Sequence, residues 1–239
     1  MSDLSRVRYL DARDSLNLRI DGLYERFETS FVKSRLRAGA CFVDVGAHIG
    51  YYSTLAASLV GADGAVFAFE PDPTNCALLR KNSSAFGDLV RVYESAVSDA
   101  VGSAWLYLSA DNSGDHQLGG AEERKKVLVN VMTIDSCAAL ASRAIDFLKI
   151  DVQGWEVSVL RGAAKAIERS PHLCGIIEFW PRGLKRAGMS AGDFLRTLND
   201  MGFNVYVKST KRRLAPATYP FLKSVTEFTN LIVSKDKLI

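Results

Sequence analysis

Val43-Asp44-Val45-Gly46-Ala47-His48-Ile49-Gly50 is the stretch on which the fold of this chain turns. The apolar run from Cys41 to Val45 reads as a strand, and two glycines then frame a tight turn. Tyr52, Leu55, Ala56 and Leu59 follow at helical spacing. Strand, glycine turn and helix let an α/β fold bring its backbone close to a nucleotide-like ligand, because glycine tolerates positive φ and carries no side chain to collide. Glu70 closes a second apolar run, Ala65-Val66-Phe67-Ala68-Phe69. A carboxylate at that point can accept hydrogen bonds from both hydroxyls of a ribose.

Two ligands suit such a turn, and the residues favour one. A dinucleotide fingerprint wants a third glycine between the outer two, and His48 stands in its place, where an imidazole would crowd a pyrophosphate. Asp44 would repel a pyrophosphate, but it attracts the ammonium of a methionine moiety. S-adenosylmethionine is therefore the expected cofactor, with S-adenosylhomocysteine as its product. Its expected cradle is Asp44, Gly46, Ala47, His48, Gly50 and Glu70, extended by Pro71, Asp72, Ser95, Ala96 and Asp151. The competing reading is a tight turn with no ligand.

The chain has 239 residues, enough for one α/β domain with its own core. That domain divides into an N-terminal helical cap (1–38), a cofactor-binding core (39–208) and a C-terminal loop with an edge strand (209–239). No apolar run approaches the roughly 20 residues that cross a bilayer, and the polar start from Met1 to Asp14 shows no signal peptide. Cys41, Cys76, Cys137 and Cys174 have no CxxC spacing and read as buried thiols of a reducing, cytoplasmic compartment. A net charge of +3 does not argue for nucleic acid, and Lys208, Lys211, Arg212 and Arg213 read as a solvated loop. A small-molecule acceptor is the expected partner. The sequence leaves the oligomeric state open, a homodimer included.

The spacing predicts a helix over 23–36, with Leu23, Phe27, Phe31, Val32 and Leu36 on one face. Asp72 and Pro73 form a helix-start pair. Strands are expected at 89–93, 104–108, 127–134, 146–152, 174–179, 204–208 and 230–234, with a polar loop over 109–126. Helices are expected from Trp155 and from Ala191 to Met201. The last two strands are expected to be joined by a long loop without a clear helix. The resulting picture is a mainly parallel sheet with helices on both faces and an antiparallel edge.

At this point the residues match a known family. The chain resembles the FkbM-type branch of S-adenosylmethionine-dependent methyltransferases, which implies a Rossmann-like class I methyltransferase fold with a seven-stranded sheet. The resemblance rests on Phe42 to Gly50, on Phe69-Glu70-Pro71, on Ala96-Val97-Ser98-Asp99 and on Leu148-Lys149-Ile150-Asp151-Val152-Gln153-Gly154-Trp155-Glu156. Val159-Leu160-Arg161-Gly162-Ala163 and Ile177-Glu178 extend it, and it covers roughly residues 38 to 208. It implies methyl transfer, often to a hydroxyl of a natural product or sugar. His48 and Gln153 stand where the family commonly has asparagine and glutamate. The change at Gln153 takes away a carboxylate pair with Asp151, so no required metal is expected.

Methyl transfer from a sulfonium is an in-line displacement, and positioning can supply about 7–11 kcal/mol in well-oriented cases. A hydroxyl acceptor also needs a general base. Asp151, at the carboxyl end of a central strand, and His116, in the polar loop, are the expected catalytic pair. Glu178, Asp115 and Trp155 are the expected acceptor contacts, although Trp155 also fits a helix core face. Trp180 and Phe179 fit an apolar wall, Trp105 a strand, and His172 an exposed turn. Two other classes compete: a nicotinamide-dependent oxidoreductase on the same strand–turn–helix, and a non-catalytic cofactor-binding module.

Overall fold

The structure is a computed structural model that describes residues 7–11, 14–16, 18, 23–109, 114, 116–119, 124–209 and 213–239. The first helix set wholly within the described residues, α1 (Arg26–Arg35), buries Phe31 and Val32. Leu23 lies before it and is exposed, so the helix is shorter than the periodicity predicts. Then come β1 (Cys41–Val45), α2 (Tyr51–Val60), β2 (Ala65–Phe69) and α3 (Pro73–Ser83). Asp72 caps α3 by accepting the Asn75 N–H at 2.8 Å, with Pro73 in the first turn, as the sequence predicts.

The chain continues through β3 (Val90–Tyr93), β4 (Ala96–Val97), β5 (Gly102–Tyr107), β6 (Gln117–Leu118) and β7 (Lys126–Met132). After β8 (Phe147–Ile150) the expected helix is split into α4 (Glu156–Arg161) and α5 (Ala164–Glu168). Next are β9 (Cys174–Phe179), α6 (Pro181–Arg186), α7 (Ala191–Asp200) and β10 (Asn204–Lys208). The last elements are β11 (Leu214–Pro216), α8 (Tyr219–Ser224) and β12 (Thr229–Ser234).

The main sheet runs β11-β10-β12-β9-β8-β1-β2-β3. The five strands from β9 to β3 are parallel, while β12 and β10 are antiparallel to their neighbours, which is the expected edge. Two features differ from the expectation. Short β11 adds an eighth strand to β10, and α8 lies in the connection read as helix-free. In addition, β4, β7, β5 and β6 form a separate four-stranded sheet. That connection holds an apolar anchor: Leu222 of α8 is buried in the core.

Pleating sorts the strands into two faces. Val43, Val45, Leu148, Ile150, Ile177 and Phe179 pack with α4, α5 and α7, while Phe42, Phe147 and Ile176 pack with α1 and α2. Asp44, Lys149 and Glu178 follow the parity of this second group. Their register sets Asp44 beside Lys149, and puts Asp151 and Glu178 one pleat further on, at the carboxyl ends. A face that is apolar along most of its length thus turns polar at one end. All four cysteines are buried free thiols, and among the described residues no helix is long and apolar enough to cross a membrane.

Candidate active site

A cavity of about 420 Å³ opens at those carboxyl ends. It falls in the range of about 300–1,000 Å³ usual for ligand pockets, at the crevice where open α/β sheets bind. Asp44, Gly46, Ala47, His48, Glu70, Pro71, Ser95 and Ala96 line one end of it. Gly50 and Asp72, expected there, do not. Gly50 starts α2 at φ 91, packed against Leu79, and Asp72 is engaged in capping α3.

Glu70 stitches the turn to the end of β2. Its Oε2 accepts the His48 N–H at 2.8 Å and its Oε1 accepts the Asp72 N–H at 2.9 Å. Burial pushes this carboxyl up to about 7. The Asn75 side chain also hydrogen-bonds to this carboxylate. Gly46 has the positive φ that the sequence reading allows for, and a second reason besides. Its φ is 77, and a Cβ there would collide with the Asp151 carbonyl, so the glycine is required by the neighbouring strand end. The Asp151 N–H donates to the Val45 carbonyl at 3.0 Å across the same gap.

His48 sits at φ 51, and burial lowers its ring to about 4, leaving it neutral near pH 7. Ser15 Oγ lies 3.5 Å from its Nε2. Ser15 and Leu16 of the N-terminal segment line the cavity, and Asn82 ties Arg8 and Tyr9 to the turn before α2. That amide accepts the Arg8 and Tyr9 N–H groups at 3.0 and 2.8 Å, and donates to the Tyr9 and Ile49 carbonyls at 2.9 and 2.8 Å.

The cavity also has a polar floor, for which the sequence reading names Asp44, Asp151 and Glu178 but not Lys149 or Tyr52. Asp44 Oδ2 accepts the Ser53 hydroxyl at 2.7 Å, while its buried Oδ1 has no hydrogen-bond partner. Lys149 Nζ lies 3.1 Å from Asp151 Oδ2 and 5.2 Å from the Tyr52 ring centre. Burial opposes its charge, but Asp151, Asp44 and Glu25 together hold its pKa above the ordinary lysine value. Glu25 closes the group, accepting the Tyr52 hydroxyl at 2.7 Å and the Asn230 amide at 2.6 Å. Glu178 is buried, and burial followed by Asp151 and Glu156 raises it well above the usual carboxylate range.

His116 lines the cavity, as expected. Its Nδ1 accepts the Ser109 N–H at 3.0 Å, so the neutral ring carries its proton on Nε2. In this geometry it is set to donate, which runs against the proton-accepting role expected of it. Asp115 lies outside the described residues. Trp155 does not line this cavity: it borders a shallower groove with Val101 and Trp105. Trp180 lines the mouth under the Arg186 guanidinium, 4.8 Å from its ring centre. Phe179 is core, packed on Phe194, and His172 is exposed beside Asp236. Among the described residues, no group of three or more His, Cys, Asp or Glu side chains is arranged to hold a metal ion.

Glu156 supports the site from beneath. It is fully buried, and its Oε1 accepts the Val152 and Gly154 N–H groups at 3.3 and 2.9 Å. Burial lifts it from 4.5 to about 7. Between those values the native state binds more protons than the unfolded chain, so stability falls as pH rises through the window, by about 3 kcal/mol for this group. Glu70 acts in the same direction. Glu156→Gln should therefore lose much less stability than wild type between pH 4.5 and pH 8 in urea unfolding. Parallel losses in both proteins would show that Glu156 is already ionised in the native state at low pH.

The strand order, the glycine turn at the end of β1 and the carboxylate at the end of β2 define a Rossmann-like class I methyltransferase fold. The model of the FkbM methyltransferase domain matches residues 44–205, and the chain belongs to that family. It is similar in fold to the methyltransferase FkbM from Methylobacillus flagellatus KT, with 16% identity and a TM-score of 0.50 over 97% of this chain and 56% of that one. A TehB-like SAM-dependent methyltransferase from Corynebacterium glutamicum ATCC 13032 gives 14% identity and a TM-score of 0.50 over 92% and 93% of the two chains. Among curated proteins, 54 residues are 46% identical to one named "Probable cobalt-precorrin-6B C(15)-methyltransferase (decarboxylating)" from Sulfolobus acidocaldarius. That match spans 23% of this chain and 28% of the relative.

Proposed function

We propose that the chain is an S-adenosylmethionine-dependent methyltransferase that O-methylates a small-molecule alcohol, a natural product or a sugar. The observation that carries the cofactor reading is the buried, unpartnered Oδ1 of Asp44 on the cavity floor beside the turn. The ammonium of the methionine moiety would satisfy that oxygen, and a pyrophosphate would be repelled by it. Glu70 would hold the ribose hydroxyls, with Ala47 and His48 closing over the ligand. When bound, the cofactor supplies an electrophilic methyl group on a sulfonium.

This chain's own residues then have two tasks. Asp151, 3.1 Å from the Lys149 ammonium, orients the acceptor hydroxyl and takes its proton. His116 lines the cavity with Nδ1 bound to the Ser109 N–H, and donates a hydrogen bond to the acceptor from Nε2. Trp180, with Phe228 at the cavity mouth, gives the acceptor body an apolar surface. Enclosure of the site and its many carboxylates favour a small acceptor over a nucleic acid, whose phosphates Asp44, Asp151, Glu178 and Glu227 would repel.

Isothermal titration with S-adenosylhomocysteine and with NAD separates this reading from an oxidoreductase, and methyl transfer to any alcohol separates it from a binding module. Glu70→Ala should weaken S-adenosylhomocysteine by about 1.5–3 kcal/mol, the range for hydrogen bonds to a charged group. Unchanged affinity in a folded variant would remove Glu70 from the cofactor site.

A further inference from the structure

Gln153 sits between two carboxylates. Its Nε2 donates to Asp151 Oδ1 at 2.9 Å and to Glu178 Oε2 at 3.0 Å, so one amide group spans the ends of β8 and β9. The backbone aims it there. Gln153 is left-handed at φ 56, a conformation that costs a non-glycine residue on the order of 1 kcal/mol. Gly154 follows at φ 109, backed so closely onto Gly183 that a Cβ would collide with its backbone. The Glu156 carboxylate binds the N–H groups on either side of Gln153.

Two carboxylates facing one point ordinarily share a proton or recruit a cation. The spacing here is that of ordinary N–H···O bonds, and it also suits the oxygen shell of a cation. Oxygens bound to a magnesium-sized ion at about 2.1 Å stand about 3 Å apart when adjacent, and the Gln153 nitrogen stands at that distance from each carboxylate oxygen. Lys149 holds the other Asp151 oxygen at 3.1 Å, so Oδ1 is the atom that Gln153 serves. Asp44 and Glu25 face Lys149 from β1 and from the residue before α1, and Glu156 closes the group from α4.

We infer that Gln153 is the positioning residue of this site: its neutral amide crosslinks Asp151 to Glu178 where a divalent cation would otherwise be needed, and so fixes the Asp151 carboxylate at the cavity. The part given to Asp151 in catalysis rests on the methyl-transfer reading; the crosslink does not. Exchanging the amide for a carboxylate removes the donor and completes a three-carboxylate cluster, which a bound cation would hold together.

The test is Mn²⁺ titration of the full chain, followed by the electron paramagnetic resonance of free Mn²⁺, on wild type, Gln153→Ala and Gln153→Glu. Gln153→Glu should bind Mn²⁺ at least about tenfold more tightly than wild type, and its melting temperature should rise with Mn²⁺. Gln153→Ala should bind no more tightly than wild type. A Gln153→Glu chain that folds only with Mn²⁺ supports the inference, because the ion restores the crosslink. The inference is overturned if wild type binds Mn²⁺ as tightly as Gln153→Glu, or if Gln153→Glu folds and gains no affinity. It is equally overturned if that variant fails to fold both with and without the ion. Titration of wild type with S-adenosylhomocysteine is read separately: failure there removes the cofactor reading and leaves the Mn²⁺ result standing.

Discussion

Asp151→Asn lowers methyl transfer by about a hundredfold to ten-thousandfold, the usual effect of removing a general base. The substitution keeps the shape of the side chain, but it puts a neutral amide where Lys149 and Gln153 both donate to a carboxylate. Lys149 keeps Asp44 and Glu25 as neighbouring charges, so the fold should survive. Circular dichroism and a melting curve check that. The assay follows radiolabelled methyl from S-adenosylmethionine into a panel of sugar and polyketide alcohols, using whichever acceptor wild type turns over. Near-normal turnover in Asp151→Asn would mean that alignment of acceptor and methyl group carries the reaction alone. His116→Ala offers the contrast: its Nδ1 is occupied by the Ser109 N–H, so the loss is that of a hydrogen-bond donor and should be the smaller of the two.

Gly46→Ala destabilises the protein by about 3 kcal/mol or more and abolishes S-adenosylhomocysteine binding. Two costs add. The backbone sits at φ 77, which disfavours any Cβ, and the new methyl would collide with the Asp151 carbonyl. Relief requires moving β1 away from the loop after β8, which breaks the bond from Asp151 N–H to the Val45 carbonyl and displaces Asp151. Urea unfolding and calorimetry measure both effects. Gly39→Ala is the control, since it also has positive φ but open space around it. Equal losses at the two positions would assign the whole effect to φ and none to the approach of Asp151.

Much of the site was legible because strands advertise themselves by apolar runs. Asp44 in Cys41–Val45, Lys149 in Phe147–Ile150 and Glu178 in Cys174–Phe179 each interrupt such a run. A charged residue inside a strand buried on both faces needs a partner, because an unpaired buried charge is costly. That signal applies to Asp44, Lys149 and Glu178 alike. Glu25, Tyr52 and Asn230 gave no such sign: Tyr52 reads as helix core, and the other two lie at element ends. Trp155 misled for the opposite reason, since an aromatic after a strand end fits a pocket wall as well as a second groove.

The sequence by itself determined the parallel α/β sheet, the glycine turn and the strand ends at which carboxylates gather. Periodicity, caps and turns are local, and neighbours along the chain set them. Only the tertiary structure decided what those carboxylates meet. Asn230 reaches Glu25 across 205 residues, Gln153 reaches Glu178 across 25, and Asn82 holds Tyr9 across 73. The same holds for the His116 tautomer, fixed by a backbone N–H seven residues away. Such contacts follow from strand order and register, in which a shift of one residue would send every side chain of a strand to the other face.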